Sequence, residues 1–179
     1  MTGPAEPQRF RDLFARPSLE GMHALTPQEF EKFVAYVFRR AGYEVVDVTL
    51  KFTKGVDLEL FADASRKQRV GGVEVKRLEP QALVAAAVVQ KLMGAPAVRR
   101  GKLAAYLITT SGFNKAAYEM AEHGQQTYLL NGEQLCRYIR YLRRSRYDET
   151  SVANVQIPPD AFGGPGSPHY RGTRHTKIL

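Results

Sequence analysis

Two neighbouring segments with a two-residue period constrain the fold of this chain more than any other feature. Residues Gly55–Ala62 and Gln68–Leu78 alternate apolar with charged side chains, and the short polar segment Asp63–Lys67 joins them. Successive residues of a strand point to opposite faces of a sheet, so the pattern predicts two hairpin-connected strands that share a charged face. In the first strand, Val56 is expected on the apolar face with Leu58 and Leu60.

The segments around this hairpin predict an α/β sandwich with a central mixed sheet. A helix precedes it, because Thr26, Pro27 and Glu29 form a capping-box pattern ahead of apolar residues at helical spacing, and Gly42 suits the C-terminal cap. The helix and buried strand that follow favour a right-handed crossover with parallel pairing. The remaining predicted elements are the strand Tyr43–Thr49, helix Pro80–Val98, strand Lys102–Thr109, helix Phe113–His123, strand Gln126–Leu130 and helix Glu133–Arg144.

Composition separates two further segments from this core, which is expected over residues 25–145. Residues 1–24 contain three prolines and mixed charge, and we expect an arm that packs through Phe10, Leu13 and Phe14. Residues 146–179 are rich in Pro and Gly, which is typical of a linker-like tail.

The charge balance favours a polyanionic partner. The chain has 26 Lys and Arg residues against 18 Asp and Glu residues, which suits nucleic acid or an acidic membrane surface. A single cysteine excludes an intramolecular disulfide and a Cys-rich metal site. With no secretory signal and no apolar run long enough to span a bilayer, a cytoplasmic protein with no membrane partner is expected.

Asp57, Glu74 and Lys76 are the candidate catalytic residues. If the two hairpin strands pair, these side chains project from one face, and two carboxylates can hold Mg²⁺ while leaving room for water and a phosphate. Lys76 can then orient or deprotonate the attacking water, or offset charge on phosphorus. The ordinary alternative is that Glu74 and Lys76 form an exposed pair. The flanking valines and the preceding Gly55 favour a central strand instead.

Several motifs in the same order resemble the catalytic domain of Mrr-type restriction endonucleases, in the PD-(D/E)xK nuclease superfamily. They run from about Leu25 to Leu135: LTPQEFEKFVAYVFRRAGYEV, GVDLEL, GVEVKR, VVQKLMGA and AAYLITTSGF. The resemblance implies a restriction-endonuclease-like α/β/α sandwich, with Asp57 and Glu74 as metal ligands, Lys76 as the catalytic lysine and Mg²⁺ or Mn²⁺ as cofactor. Many Mrr-like proteins have Gln in place of Glu74, so the chain departs here towards the wider superfamily pattern.

Three further residues are candidates on the strength of this resemblance. Glu31 matches an acid of the first helix that assists the metal, although it can also be a boundary glutamate of the apolar face. Gln90 matches a glutamine near the site, or is an exposed polar residue of its helix. Ser111 lies in a strand-to-helix turn that can bind phosphate, or it caps the helix, as can Thr110.

The last predicted helix is rich in arginine. Five arginines, at positions 137, 140, 143, 144 and 146, occur without an intervening acid, and Arg137, Arg140 and Arg144 are expected to bind nucleic acid along with Arg77. A solvated basic face and a docking surface for an acidic protein are the alternatives.

Together these features predict a Mg²⁺-dependent DNA endonuclease that acts in restriction or anti-phage defence. Cleavage of both strands needs two sites, so a homodimer or larger homo-oligomer is expected, with a targeting protein as a further partner. The rival predictions are a structure-selective nuclease of the Holliday-junction type and a catalytically idle DNA-binding member that organises a complex.

Overall fold

The computed structural model describes residues 6–48, 55–98, 103–124 and 126–145. The predicted tail, 146–179, and the predicted residue Arg146 lie outside these ranges. In the described residues, no helix is both long enough and apolar enough to cross a membrane. The helices are α1 (Gln8–Ala15), α2 (Leu19–His23), α3 (Pro27–Arg40), α4 (Ala86–Met93), α5 (Lys115–Glu122) and α6 (Gly132–Ser145).

A five-stranded mixed sheet forms the centre of the fold, which confirms the predicted architecture. Its order is β1-β2-β3-β5-β7; β1, β2 and β3 pair antiparallel, whereas β3, β5 and β7 pair parallel. A second sheet contains the parallel pair β4 and β6. The strands are β1 (Glu44–Asp47), β2 (Leu58–Phe61), β3 (Arg69–Lys76), β4 (Leu83–Val84), β5 (Ala104–Thr109), β6 (Gly112–Phe113) and β7 (Thr127–Leu130).

Each face of the main sheet has its own apolar core. On one face, Val73 and Val75 of β3 pack in a cluster with side chains from α1, α2, α3 and α6. On the other face, Leu107 of β5 packs with side chains from α4 and α5. We call these sides the α6 layer and the α4 layer.

The helix α3 begins as its sequence predicts. The Thr26 hydroxyl accepts a hydrogen bond from Glu29 N–H at 3.2 Å, and the Glu29 carboxylate accepts one from Thr26 N–H at 2.9 Å. This reciprocal capping box satisfies two backbone donors that the helix itself cannot satisfy. Because the start of α3 is fixed in this way, the position of Glu31 on its second turn is fixed as well.

The segment before α3 is helical and belongs to the core. Phe10, Leu13 and Phe14 are buried on α1, and the ring of Phe10 packs edge-on against Phe33 of α3 at a centroid distance of 5.8 Å. The proline content of this segment did not indicate its two helices. Pro7 precedes the first helix and Pro17 the second, so neither interrupts one.

Two predicted helices begin later than expected, for one reason. The helix predicted from Pro80 begins at Ala86, and the one predicted from Phe113 begins at Lys115. Val84 pairs with Phe113 in the parallel contact between β4 and β6, which holds both segments extended. This contact joins segments far apart in the sequence, so no local period reveals it.

The strand β2 is shorter than predicted because Gly55 turns the chain just before it. Gly55 has a φ of +104°, and Asp57 precedes the first residue of β2, Leu58. The expected alternation therefore fails at Val56, which packs in the α4 layer while Leu58 packs in the α6 layer.

The Gly55 turn provides a stability test with an internal control, Gly42. A Cβ at Gly42, with φ +98°, would meet nothing within 4 Å, whereas a Cβ at Gly55 would lie 2.9 Å from Ala95 Cβ. Gly42→Ala is expected to lower the free energy of unfolding by about 1–2 kcal/mol through backbone strain. Gly55→Ala is expected to lose about 1–3 kcal/mol more through overpacking.

Urea denaturation measures both losses at an unchanged m-value. Equal losses in the two variants would show that the contact with Ala95 does not constrain the turn.

Candidate active site

The start of β2 and the end of β3 bring the three predicted catalytic residues together. Glu74 and Lys76 are two positions apart on β3, so their side chains leave the sheet on the same face. Asp57 N–H donates a hydrogen bond to the Val73 carbonyl at 2.8 Å. The Asp57 carboxylate accepts another from Val75 N–H at 2.8 Å. Main chain and side chain thus hold Asp57 against β3.

The acidic side chain of Glu74 points towards the α4 layer. Its neighbours Val73 and Val75 pack in the α6 layer, and alternation places Glu74 on the other side. Its parallel partner on β5 is Leu107, a member of the α4-layer core. Lys76 follows the same alternation. The site therefore opens from the end of the sheet on its α4 side.

A short ion pair links the two β3 residues. Lys76 Nζ lies 2.6 Å from Glu74 Oε1, and the side chains are 36% and 6% exposed, respectively. The alternative of an exposed charge pair is therefore wrong for Glu74. A carboxylate buried to this extent needs a charged or hydrogen-bonding partner, and Lys76 provides one.

Asp57 occupies an environment that disfavours its charge. Burial, and then the negative charge of Glu74, raise the pKa of Asp57 from 3.8 to about 6, with a smaller contribution from Glu31. The hydrogen bond from Val75 N–H and the charge of Lys76 act in the opposite direction without cancelling the rise. Crowded carboxylates with a raised pKa are typical of functional sites.

Lys76 remains a cation in this environment. Burial lowers the pKa of its amine, but the hydrogen bond and charge of Glu74, with the charges of Asp57 and Glu31, raise it more. The net pKa lies above the ordinary value. In this arrangement Lys76 can donate hydrogen bonds and offset negative charge, but it is poorly suited to accept a proton.

Glu31 acts on the site through its charge. It is half-buried on α3, and its negative charge affects both Asp57 and Lys76. Asp57 and Glu74 are the adjacent carboxylates that could hold a metal. Across the described ranges, no three His, Cys, Asp or Glu side chains are grouped as a complete metal site. Mg²⁺ needs only one or two carboxylates when water and phosphate fill the other positions.

The turn after β5 lies beside Lys76 and contains Ser111. Thr109 is the register partner of Lys76, and the hydroxyls of Thr109 and Ser111 are 3.1 Å apart. The Ser111 N–H also donates to Thr109 Oγ1 at 3.2 Å. Ser111 is therefore at the predicted end of the sheet, with its hydroxyl bonded locally.

Thr110 positions the chain that follows Lys76, a role that the sequence did not reveal. Its N–H donates to the Lys76 carbonyl at 3.2 Å. Its hydroxyl accepts from Leu78 N–H at 2.9 Å and donates to the Leu78 carbonyl at 2.7 Å. The expectation that Thr110 or Ser111 caps α5 is wrong, because Asn114 caps it through Ala117 N–H.

Arg77 bonds to the chain before α3, and Gln90 occupies an exposed position of α4. The Arg77 guanidinium donates to the carbonyls of Leu25 at 3.1 Å and His23 at 2.5 Å, and it also pairs with Glu79. Arg77 thus fastens the loop between α2 and α3 to the end of β3. Gln90 is exposed on α4, between the buried residues Val89 and Leu92.

The predicted arginines of α6 are all exposed, on the α6 layer. Arg137 forms an ion pair with Glu133 at 3.6 Å, and Arg140 donates to the Pro17 carbonyl at 3.2 Å. Arg144 lies in the last turn of the helix. The structure therefore does not bring these arginines together with Asp57, Glu74 and Lys76.

The raised pKa of Asp57 predicts a pH-dependent effect of Asp57→Asn in chelator-treated protein. The protonated Asp57 carboxyl makes its full contribution to the free energy of unfolding below the ordinary pKa of 3.8. This contribution is lost as pH rises through the folded-state pKa of about 6. The amide can still accept the Val75 hydrogen bond without carrying charge. The variant should therefore gain stability over the wild type as pH increases across this range.

Urea midpoints measured across the range follow this difference. Glu122→Gln, a change at an exposed acid of α5, serves as the control and should show no such trend. A stability difference between Asp57→Asn and the wild type that is constant with pH would contradict the environment described for Asp57.

Comparison with solved structures finds the MspJI restriction endonuclease in complex with a 27-mer oligonucleotide, at a TM-score of 0.44 and 17% sequence identity. The match covers 83% of this chain and 36% of that chain. A search of the curated proteins gives no match.

Comparison with family models gives a match over the site. The Mrr_cat model, described as restriction endonuclease, matches residues 22–139, more than half of the chain. The matched region contains α3, the β2–β3 pair and the turn after β5, so it includes every residue of the candidate site. The chain belongs to the Mrr_cat family of restriction endonuclease domains.

Proposed function

We propose that this chain is a Mg²⁺- or Mn²⁺-dependent endonuclease that hydrolyses phosphodiester bonds of DNA in a restriction or anti-phage system. The observation that carries the proposal is the Asp57 carboxylate, held beside the buried Glu74 with a pKa raised to about 6. Two crowded carboxylates at the end of a sheet repel each other unless a cation lies between them. Membership in a restriction endonuclease family supports the proposal that a metal ion supplies this charge.

Asp57 and Glu74 are the proposed metal ligands. Both offer hard oxygen donors, and Asp57 is kept in place by the hydrogen bond from Val75 N–H at 2.8 Å. When bound, the cation would polarise a phosphoryl oxygen and lower the pKa of a bound water. Glu74 would share its carboxylate between the cation and Lys76, because Lys76 Nζ is only 2.6 Å away.

Lys76 is proposed to act as a cation throughout. Its raised pKa favours electrostatic stabilisation of the negative charge that develops on the phosphate, and it disfavours the alternative of a general base. The bonds from Thr110 N–H to the Lys76 carbonyl and from Thr110 Oγ1 to Leu78 hold the backbone beside this amine. Glu31 is proposed as the assisting third acid, and Ser111 as a phosphate contact at the rim.

DNA is the proposed substrate because of the family and the net charge of +8. Cleavage of both strands requires two such sites, so we propose a homodimer or larger homo-oligomer. A targeting protein is proposed as a further partner.

The proposal is tested by measuring the rate at which each site variant cleaves plasmid DNA in Mg²⁺. The same reaction in EDTA is the negative control. Asp57→Asn, Glu74→Gln and Lys76→Gln should each reduce the cleavage rate by about 100-fold or more, as expected when one group that stabilises the transition state is removed. Lys76→Arg keeps the charge and should retain more activity than Lys76→Gln.

Two changes serve as matched controls. Glu59→Gln alters the acid within β2, which pairs with Arg69 at 3.0 Å, and Lys91→Gln alters an exposed lysine of α4. Both should cut at close to the wild-type rate. Wild-type-like cutting by Asp57→Asn, or cutting that persists in EDTA, would refute the assignment.

The same assay separates the rival functions. Preferred cleavage of a four-way junction over plasmid DNA would indicate a structure-selective nuclease. Binding of DNA with no cleavage of any substrate would indicate an idle member.

A further inference from the structure

The arginine face of α6 points away from the candidate active site. We define this face as Arg137, Arg140 and Arg144, which lie at positions i, i+3 and i+7 of one helix and so share a side. The opposite side of α6, including Tyr138 and Ile139, is buried in the α6-layer core. Glu74 points into the α4 layer, whereas the arginine face lies on the outer side of the α6 layer.

The direction of α6 increases this separation. The helix begins at Gly132, whose added Cβ would lie 2.9 Å from the Thr110 carbonyl, so its start is at the active-site end of the sheet. It then runs for 14 residues, roughly 20 Å at about 1.5 Å per residue. The helix itself adds a layer about 10–12 Å thick on the far side of the sheet.

We therefore expect that a straight DNA segment bound at the site does not follow the arginine face along the length of α6. Duplex DNA has a persistence length of about 150 base pairs, and bending a site of 20–30 base pairs by 40–90° costs about 1–6 kcal/mol. A duplex seated at Asp57 and Glu74 would need such a bend around the end of the domain to touch Arg144. The α6 arginines are thus poorly placed to hold the phosphates next to the scissile bond.

Helix chemistry alone does not explain the arginine face. Cations in a last turn stabilise the helix dipole, which accounts for Arg143 and Arg144. It does not account for Arg137 and Arg140, which lie one or two turns earlier. Arg137 pairs at 3.6 Å with Glu133 of the same helix, but an exposed pair of this kind contributes little to stability. Arg140 donates one hydrogen bond to the Pro17 carbonyl. Residues 134–145 contain no Asp or Glu. The exposed Arg16 adds another cation close by, because Arg140 bonds to the carbonyl of the adjacent Pro17.

We propose that the arginine face of α6 is a second DNA-binding surface, which holds a segment of the duplex other than the one being cut. This inference rests on the proposed DNA endonuclease function. Arginine binds phosphate with two parallel hydrogen bonds, and a row of arginines along one helix matches a continuous polyanion better than an isolated acidic side chain. Holding a remote segment raises the effective concentration of long DNA at the site.

Binding stoichiometry tests the second surface independently of cleavage. The full-length Asp57→Asn protein is titrated with a duplex of about 12 base pairs, roughly one helical turn, and the complexes are counted by native mass spectrometry. A second duplex per protomer is expected. Arg137→Glu combined with Arg144→Glu should remove it and lower the salt slope of binding by about 2, or about 0.9 per lost phosphate contact. This pair of changes spares Arg140, which bonds to Pro17.

The second part of the test compares the rates at which the short duplex and a plasmid are cleaved. The α6 double variant should cut the short duplex within about twofold of wild type but cut plasmid roughly 10-fold more slowly, as expected when tethering is lost. Lys67→Glu reverses an exposed charge in the turn between β2 and β3, and this control should cut both substrates normally.

Equal loss on both substrates would overturn the proposal, because the arginines would then belong to the cleaved segment. Unchanged stoichiometry with unchanged plasmid cleavage would overturn it in favour of an acidic protein partner. If the wild type cut nothing but Asp57→Asn still bound a second duplex through α6, the endonuclease proposal would fail while the second surface stood.

Discussion

The hydrogen bond from Val75 N–H to the Asp57 carboxylate is the interaction on which the site depends. The chain turns at Gly55, and the Asp57 side chain accepts the hydrogen bond from Val75 N–H that a backbone carbonyl would accept in a regular ladder. The carboxylate is thereby buried beside Glu74, and that placement raises its pKa. The ion pair between Glu74 and Lys76 and the raised pKa of Lys76 depend on the same crowding.

Features that act through local geometry could be predicted from the sequence. The capping box at Thr26 and Glu29 gave the start of α3, and α6 extends only one residue beyond its prediction at each end. The two-residue period of the hairpin placed Glu74 and Lys76 on one face. If the two hairpin strands pair, Asp57 is predicted to lie beside Glu74 and Lys76. The match to the family model includes all three positions.

Features that depend on distant contacts could not be predicted. The pairing of Val84 with Phe113 delays two helices, and it joins segments that no local pattern relates. The burial of Glu74 depends on β5 and the α4 layer. The sequence alone therefore could not exclude an exposed pair of Glu74 and Lys76. The position of α6 on the layer opposite to the site depends on the order of the whole sheet. An arginine-rich helix gives no indication of that position.

The central claim is that Asp57 and Glu74 form one electrostatic unit able to hold a cation. The most direct test is an NMR titration of the Asp57 carboxyl carbon, first without divalent metal and then with Mg²⁺, in the wild type and in Glu74→Gln. We expect a pKa of about 6 in the metal-free wild type, with lower values both when Mg²⁺ is added and when Glu74 is neutralised. An Asp57 pKa near the ordinary 3.8 that neither Mg²⁺ nor Glu74→Gln changes would contradict the claim.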